Sequence, residues 1–544
     1  MVDRNGGDLL VELMRGYDVR VAFGVASVHN LPLVEAADRD GMFVPVRHEA
    51  AAVNAADAYS RVSGGLGIAI TSTGTGAGNA AGSLVEAQSA GSRVLHLTGQ
   101  IESAYLGQDR GMLHDTARQF ELLQAVSKSA ATIRTAQSAR RILWAAAAEA
   151  LAAPQGPVSV EWPYELQYAA QDPAAPMFPA LPGPLRPDES ALAAAAGLIG
   201  SARHPLLWIG GGGRHARTEL LELAELLGAP VLTSNAGRGA IREDHDLVIG
   251  NFAINPAARE LIADADLLIG IGTHYRASET ANFTLRLPDR HVQIDVDPRA
   301  IGRNYPATVG LAGDAAATVA GLLGLLRETR LSTERGWPAR GTAVRHDARK
   351  HQRAAIGPYA QINDLIRMKL PERAVIARDV TVPSSSWGNR LLEMYDPATN
   401  IYPLGGGIGQ GLAMGIGAAA ARPDEPTLVI AGDGGLAVHL GEMATLAEQA
   451  PWLVLVVFND GGYGVLRGIQ DAHGSRRAGV DLLTFDFARV AESVGLEHRL
   501  VRAVGEFDDA LSAALATRRP SVIEVDMTAV GPMPKPFVPP LPIP

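Results

Sequence analysis

The 544-residue chain contains no cysteine. Disulfides, thiol nucleophiles and zinc–thiolate sites are therefore excluded, and a cytoplasmic setting is the expectation. The chain also lacks a surplus of basic charge. Its formal net charge is −10, which argues against nucleic acid as the main partner. No apolar run approaches the ~20 residues that a membrane helix needs; the longest are of strand length and are broken by glycine, so no membrane partner is expected. The opening Met1-Val-Asp-Arg-Asn-Gly-Gly-Asp8 has neither an apolar core nor a cleavage site, and no signal peptide is expected. What remains is 47% hydrophobic and 19% charged, the balance of a globular protein with large cores.

The length suggests roughly three domains. Pro173, Pro176, Pro179, Pro182, Pro184 and Pro187 crowd residues 171–188, a spacing that forbids helix or central strand and reads as an extended connector. A second break falls at 327–358, rich in Arg, Thr and His, with Trp337-Pro338 and Gly357-Pro358. The blocks so divided are 1–170, 188–326 and 358–530. Seven prolines from Pro532 to Pro544 make 531–544 an extended arm, packed on the body if ordered. Each block alternates short apolar strands with Ala- and Leu-rich helical stretches. Strand-like runs are 21–23, 42–46, 67–71 and 93–97, then 205–209, 230–233, 266–271 and 292–296, then 427–431 and 453–458. Such alternation predicts an α/β protein of three doubly wound parallel sheets.

The last two runs lead into the most informative residues. Gly432-Asp433-Gly434-Gly435 follows the first, and Asn459-Asp460-Gly461-Gly462-Tyr463-Gly464 follows the second. Parallel strands put both turns at one edge of a sheet, where α/β ligands bind. Two carboxylates and several free backbone N–H groups then converge, an arrangement suited to a hard divalent cation bridging to a diphosphate. The competing reading is two ordinary turns with acidic helix caps.

This pair resembles the metal–diphosphate motif of thiamine diphosphate (ThDP) enzymes, which begins GDG and ends in Asn-Asn. The second end is altered here, Asn459-Asp460. The resemblance implies Mg²⁺ held by Asp433, Asp460 and the Gly462 carbonyl, with Gly432, Gly434, Gly435, Tyr463 and Gly464 around the diphosphate. The three-block order resembles the acetohydroxyacid synthase, pyruvate oxidase and benzoylformate decarboxylase group. It implies a pyrimidine-binding domain over 1–170, a central domain over 188–326 and a diphosphate-binding domain over 358–530.

Further residues take roles from the same resemblance. Arg47-His48-Glu49 opens an Ala-rich helix, and Glu49 matches the carboxyl that bonds the pyrimidine ring, chemistry that needs a carboxyl group in an apolar pocket. Its plain alternative is an acid placed on a helix dipole. Gly76-x-Gly78-x-x-Ala81 and Gly211-x-Gly213-x-x-Ala216 satisfy a loose dinucleotide fingerprint, but the first lies in Thr71–Asn79, a better match to the family's G-x-G-x-x-N turn, with Asn79 near the reacting centre. In Tyr402-Pro-Leu-Gly-Gly-Gly-Ile408-Gly, Ile408 matches the wedge that bends the cofactor, and the Gly406 carbonyl would meet the aminopyrimidine. His29 and Gln119 match residues that reach substrate or line the pocket. Ser72 stands where benzoylformate decarboxylase has a His, which lowers that reading.

The expectation is therefore ThDP- and Mg²⁺-dependent chemistry on a 2-oxo acid, with CO₂ lost into the cofactor as electron sink. Either simple decarboxylation or carboligation to an aldehyde or second 2-oxo acid would follow. Acetolactate synthase-like carboligation stands first. The alternatives are a benzoylformate-type decarboxylase or benzaldehyde lyase-like carboligase, a flavin-containing oxidase with FAD in the central domain (not favoured), and a ThDP-binding protein that has lost catalysis. Glu49 and Asp433 fall in different blocks, and the family draws them from different subunits. A homodimer or homotetramer with sites at the subunit interface is thus implied.

Overall fold

The structure is a computed structural model that describes residues 4–171 and 179–539. Pro173 and Pro176 of the expected connector, and Pro540, Pro542 and Pro544 of the expected arm, lie outside the described residues. Among the described residues, eighteen parallel strands form three sheets of six, each flanked by helices. The first sheet comprises β1 (Ala22–Gly24), β2 (Phe43–Pro45), β3 (Gly67–Thr71), β4 (Val94–Gln100), β5 (Ser129–Thr132) and β6 (Val158–Pro163). The second comprises β7 (Pro205–Ile209), β8 (Val231–Thr233), β9 (Val248–Gly250), β10 (Leu267–Ile271), β11 (His291–Asp295) and β12 (Val309–Ala312). The third comprises β13 (Val375–Arg378), β14 (Asn400–Ile401), β15 (Thr427–Gly432), β16 (Leu453–Asn459), β17 (Glu497–Val501) and β18 (Ser521–Asp526).

The central strands are buried along their length because both faces are covered, which is why they read as apolar runs rather than alternating ones. β15 and β16 are examples: from Leu428 to Ala431 and from Leu453 to Phe458 no residue is more than 1% exposed. Burying one such side chain contributes roughly 1.5–3 kcal/mol. The first sheet runs β2-β1-β3-β4-β6-β5 and the third β14-β13-β15-β16-β18-β17. Counted from the first strand of each, both are 2-1-3-4-6-5. The second sheet, β12-β11-β10-β7-β8-β9, reads 3-2-1-4-5-6 from its other edge, the order of the dinucleotide-binding α/β fold.

The first and third sheets meet through the helices Glu49–Ser63 and Gly411–Ala421. Ala58 and Val62 of the former belong to the apolar cluster under β13, β15 and β16. A Cβ on Gly417 would collide with the Ala55 carbonyl, so the helices approach this closely only because that position is glycine. The 327–358 segment, expected as a break, is largely a helix, Trp337–Ile356. Pro338 sits in its first turn, where a missing N–H costs nothing. Arg345 and Arg349 reach Glu393 at 3.5 and 2.9 Å, tying the second sheet to the third. The described part of the arm packs on the body: the Lys535 N–H donates to the Ala355 carbonyl (3.0 Å), and the Tyr359 hydroxyl to the Gly531 carbonyl (2.8 Å). Among the described residues no helix is long and apolar enough to cross a membrane.

Candidate active site

The third sheet changes winding direction between β13 and β15, and open α/β sheets bind ligands at the carboxyl ends beside such a point. The segments leaving its strands line one cavity of about 640 Å³ there. Val380–Val382 follow β13, Gly432 ends β15 and Gly435 follows it, and Asp460 and Gly462–Leu466 follow β16. Gly406 and Ile408 enter from the loop before the helix Gly411–Ala421, and Phe537 enters from the arm. Gly432 pairs with Phe458 across the sheet, so Asp433 and Asn459 leave it at the same level.

Asp433 is 2% exposed. Its Oδ1 accepts the Asp460 N–H at 3.3 Å, while its Oδ2 is buried with no hydrogen-bond partner. Burial pushes its carboxyl above the usual range, against N–H groups from Asp460, Gly434 and Gly462. The Asp460 carboxyl is pushed up to about 6, first by burial and then by Asp433; Arg467, 3.8 Å away, opposes this. Asn459 turns the other way: its Nδ2 donates to Glu524 Oε1 at 2.8 Å. A Cβ on Gly434 would stand 2.6 Å from the Gly462 carbonyl oxygen, so that oxygen lies against the Asp433 turn. An orphaned buried carboxylate oxygen, a second carboxylate and a carbonyl are hard donors held short of neutrality, and they fit a divalent cation. This set has only two acidic side chains. Among the described residues no group of three or more His, Cys, Asp or Glu is gathered that could hold a metal.

Two carboxylates fix the loop that carries Gly406 and Ile408. Glu86, from the first sheet's helix Thr75–Ala90, accepts the Leu404 N–H and, at 2.8 Å, the Gly405 N–H. Asp379, directly after β13, accepts the Gly409 N–H at 3.0 Å and the Gly411 N–H at 3.3 Å. Burial raises both, Asp379 to about 6. Ile408 between these anchors is 38% exposed, an apolar side chain held out over the cavity rather than packed in a core.

Glu49, Asn79, His29 and Gln119 are not in this cavity. They gather at the carboxyl edge of the first sheet. His48 caps the helix Glu49–Ser63, its Nδ1 accepting the Ala50 N–H at 3.1 Å. Asn79 Nδ2 donates to Glu49 Oε2 at 3.0 Å. The turn before Asn79 needs Gly74, whose φ is +57° and whose Cβ would collide with the His114 carbonyl. Gln119 Oε1 accepts the Gly74 N–H at 2.6 Å and lies 2.9 Å from Thr73 Oγ1; its Nε2 donates to Glu161 Oε1 at 2.9 Å. Its whole amide is engaged in holding that turn. His29 is 5% exposed, with its ring 5.5 Å from His114 and 5.9 Å from Tyr164. Its Nδ1 is buried and unpartnered, and burial, then His114, lower its basicity.

Sequence reasoning missed Asp379, Glu86 and Glu161. Asp379 had a signal, a carboxylate directly after the apolar strand Val375–Arg378, the same cue that marks Asp433. Glu86 and Glu161 had none, because their partners are 29 or more residues away in the chain.

Comparison with known proteins bears on this geometry. Residues 4–122 match the family model of the N-terminal TPP binding domain of thiamine pyrophosphate enzymes, 192–322 the central domain and 382–525 the C-terminal TPP binding domain. The chain is 32% identical over 530 residues to a probable 2-ketoarginine decarboxylase (AruI) of Pseudomonas aeruginosa, covering 95% of this chain and 93% of the relative. It is 28% identical over 564 residues to a probable acetolactate synthase large subunit of Methanocaldococcus jannaschii, covering 98% and 93%. An acetolactate synthase of Mycobacterium leprae is 27% identical over 544 residues, covering 95% and 86%.

Proposed function

Because the chain belongs to the thiamine pyrophosphate enzymes, we propose that it uses ThDP held through Mg²⁺ to remove CO₂ from a 2-oxo acid and to join the remaining fragment to a second carbonyl compound, in the manner of acetolactate synthases. Action on 2-oxo acids, by decarboxylation or carboligation, comes with the family and its relatives. The metal, the residue roles and the carboligation outcome are the finer reading. When bound, ThDP supplies the electron sink for the pair left behind by CO₂.

The chain's own residues do the rest. Asp433, Asp460 and the Gly462 carbonyl would hold the metal, and the glycines around them leave room for a diphosphate. Glu49, oriented by Asn79, exchanges a proton with the pyrimidine ring through its carboxyl group. The Gly406 carbonyl would accept from the aminopyrimidine, and Ile408 would pack against the rings of the bound cofactor. Glu49 stands outside the cavity that holds Asp460 and Ile408, which supports a site completed by a second copy of the chain, in a homodimer or homotetramer. The cysteine-free composition supports a cytoplasmic setting.

The observation that carries the reading is the orphaned Asp433 Oδ2 beside Asp460. The test is CO₂ release from a series of 2-oxo acids, with and without ThDP, Mg²⁺ and an acceptor aldehyde or second 2-oxo acid. Release is expected to need both ThDP and Mg²⁺ and to be matched by an acyloin or acetolactate-type product when acceptor is present. Free aldehyde as the sole product would make the protein a simple decarboxylase. No release from any acid with both cofactors saturating would leave it a ThDP-binding protein without this activity. Glu49→Gln should keep ThDP bound while hydrogen–deuterium exchange at its C2 slows; exchange at the wild-type rate removes Glu49 from the chemistry.

A further inference from the structure

A second cavity, of about 440 Å³, opens where the units built on the three sheets meet. Its walls are the Ser60–Gly64 end of the helix Glu49–Ser63, the Gly91–Arg93 turn leading into β4, the start of the helix Arg217–Leu227, and the Asp396–Ala398 turn before β14. It shares no residue with the cofactor cavity. Its charge is one-sided: Arg61, Arg93, Arg214 and Arg217 face it against one carboxylate, Asp396, beside a His215 whose basicity burial, then Arg93 and Arg214, depress to about 4.

Two of these arginines are accounted for by the fold. Arg61 lies 3.6 Å from Asp57 and donates to the Tyr402 carbonyl at 3.1 Å. Arg217 donates to the Tyr395 carbonyl at 2.8 Å and lies 3.8 Å from Asp396. The other two pair with no carboxylate among the described residues. Arg93 donates to the Gly64 carbonyl, and its Nη2 lies 3.1 Å from His215 Nε2. Arg214 spends Nε on the Gly211 carbonyl at 3.0 Å, and its two terminal nitrogens bond no described residue. Its proton affinity is pulled down to about 10, by burial and then by the charges of Arg61 and Arg93. Guanidinium groups crowded this way repel one another, and a multivalent anion between them removes the repulsion.

The backbone adds donors at the same wall. Arg217 and Thr218, the first two residues of an 11-residue helix, line the cavity, and the N-cap Ala216 has no side chain to accept a first-turn N–H. Those N–H groups and the positive end of the helix dipole are left to whatever enters. We propose that this cavity binds a phosphate-bearing small anion, with Arg93 and Arg214 as its charged contacts and the first turn of the helix Arg217–Leu227 as its N–H donors. The volume exceeds that of a single phosphate and suits a pyrophosphate or a phosphorylated metabolite. Because the walls come from all three units, the occupied site ties them together and raises thermal stability by mass action.

The test uses the full chain saturated with ThDP and Mg²⁺, so that the cofactor's own diphosphate site is filled. Inorganic pyrophosphate is titrated at constant free Mg²⁺ and followed by calorimetry. One equivalent per chain is expected, with affinity falling as salt rises. Arg93→Met and Arg214→Met should each weaken binding by roughly tenfold or more, with turnover in the absence of pyrophosphate unchanged. Hydrogen exchange on the wild-type protein is independent of whether the variants fold: pyrophosphate should protect the first-turn amides of the helix Arg217–Leu227. Absence of binding to the wild type, unchanged affinity in both variants, or no protection of that turn would each overturn the proposal.

Discussion

The carboxyl edges of the first and third sheets can be compared residue by residue, because the strand order and the register are the same. β3 pairs with β4 from Gly67↔Val94, and β15 with β16 from Thr427↔Leu453. Gln100 of β4 then corresponds to Asn459 of β16, and Glu161 of β6 to Glu524 of β18. The two pairs make the same bond: Gln100 Nε2 donates to Glu161 Oε1 at 3.1 Å, and Asn459 Nδ2 to Glu524 Oε1 at 2.8 Å. The edges part at the next position. Thr73 of the first sheet corresponds to Asp433 of the third, and Ile101 to Asp460. In the first sheet a neutral hydroxyl meets Gln119, and the turn is closed by its own side chains. In the third, two carboxylates occupy those places and one oxygen stays unpartnered. The difference separates an edge finished by the chain itself from one that leaves a buried carboxylate oxygen unpartnered. His29 Nδ1 is the first edge's own unfinished group.

The largest expected effect comes from erasing the difference. Asp433→Thr gives the third edge the residue of the first. Metal-dependent ThDP binding and turnover should fall by about a thousandfold or more. The apo-protein should melt no lower than wild type, since a buried carboxylate with one unpartnered oxygen is gone. Turnover and apo melting measured on one preparation decide the matter. A variant that loses stability together with activity would show Asp433 to be structural.

A second substitution moves a third-sheet residue into the first. His96 of β4 corresponds to Leu455 of β16. His96 is fully buried between Thr71 Oγ1 (2.9 Å) and Ser159 Oγ (3.0 Å), and burial depresses it to about 4. A base depressed in the fold contributes stability that is complete above its unfolded value near 6.5 and is lost as pH falls from there toward 4. The shift corresponds to roughly 3 kcal/mol across that window. His96→Leu should flatten the fall in stability between pH 6.5 and 4. Both hydroxyls keep another partner, the Ser72 carbonyl at 3.3 Å for Thr71 and Ser127 Oγ at 2.8 Å for Ser159. Denaturant midpoints against pH for both proteins provide the check, and parallel curves would exclude His96.

Much of the third edge was legible in the sequence, and little of the first. Asp433, Asp460 and their glycines lie in two short segments directly after apolar strands, so spacing alone brings them together. The three sheets were legible for the same reason, since buried parallel strands read as apolar runs. The network of Thr73, Gln100, Gln119 and Glu161 is assembled from residues 27 to 61 positions apart, and no local pattern marks such a set. β17, Glu497–Val501, was illegible because an edge strand with one exposed face carries charged residues. The helix Trp337–Ile356 was hidden by its own Pro338, a breaker in the interior of a helix and a starter in its first turn.

Glu161 tests whether the first edge really is closed from within. Its two oxygens take Gln100 Nε2, Gln119 Nε2 and, at 2.7 Å, the Thr132 hydroxyl. An amide in its place must turn an NH₂ toward at least one of these donors. Glu161→Gln should therefore destabilise by about 1–3 kcal/mol and loosen the Gly74 turn. Glu524→Gln, at the corresponding place, has only Asn459 and His498 to satisfy and should cost less. Equal losses in chemical denaturation would remove the asymmetry.

Asp460→Asn carries the smallest expected effect and bears most directly on why this chain departs from the Asn-Asn ending. Asp460 places a second negative charge beside Asp433, and each raises the other's cost in the absence of metal. Around a divalent cation the same carboxylate strengthens metal binding but repels the diphosphate oxygens that share the ion. Asn keeps an oxygen for the metal and removes the charge. The variant should stay active, need more Mg²⁺, and bind ThDP at saturating metal as well as wild type or better. Its apo form should be more stable by ~1 kcal/mol, an amount limited because the side chain is partly solvated. Asp460→Ala should instead lose the oxygen and need far more Mg²⁺. Calorimetric titration with ThDP at fixed high Mg²⁺ separates the three proteins. Wild-type behaviour in Asp460→Ala would mean that Asp460 is not a ligand. Asn459 would not be an obvious substitute, because its amide is committed to Glu524, so the turn itself would have to rearrange.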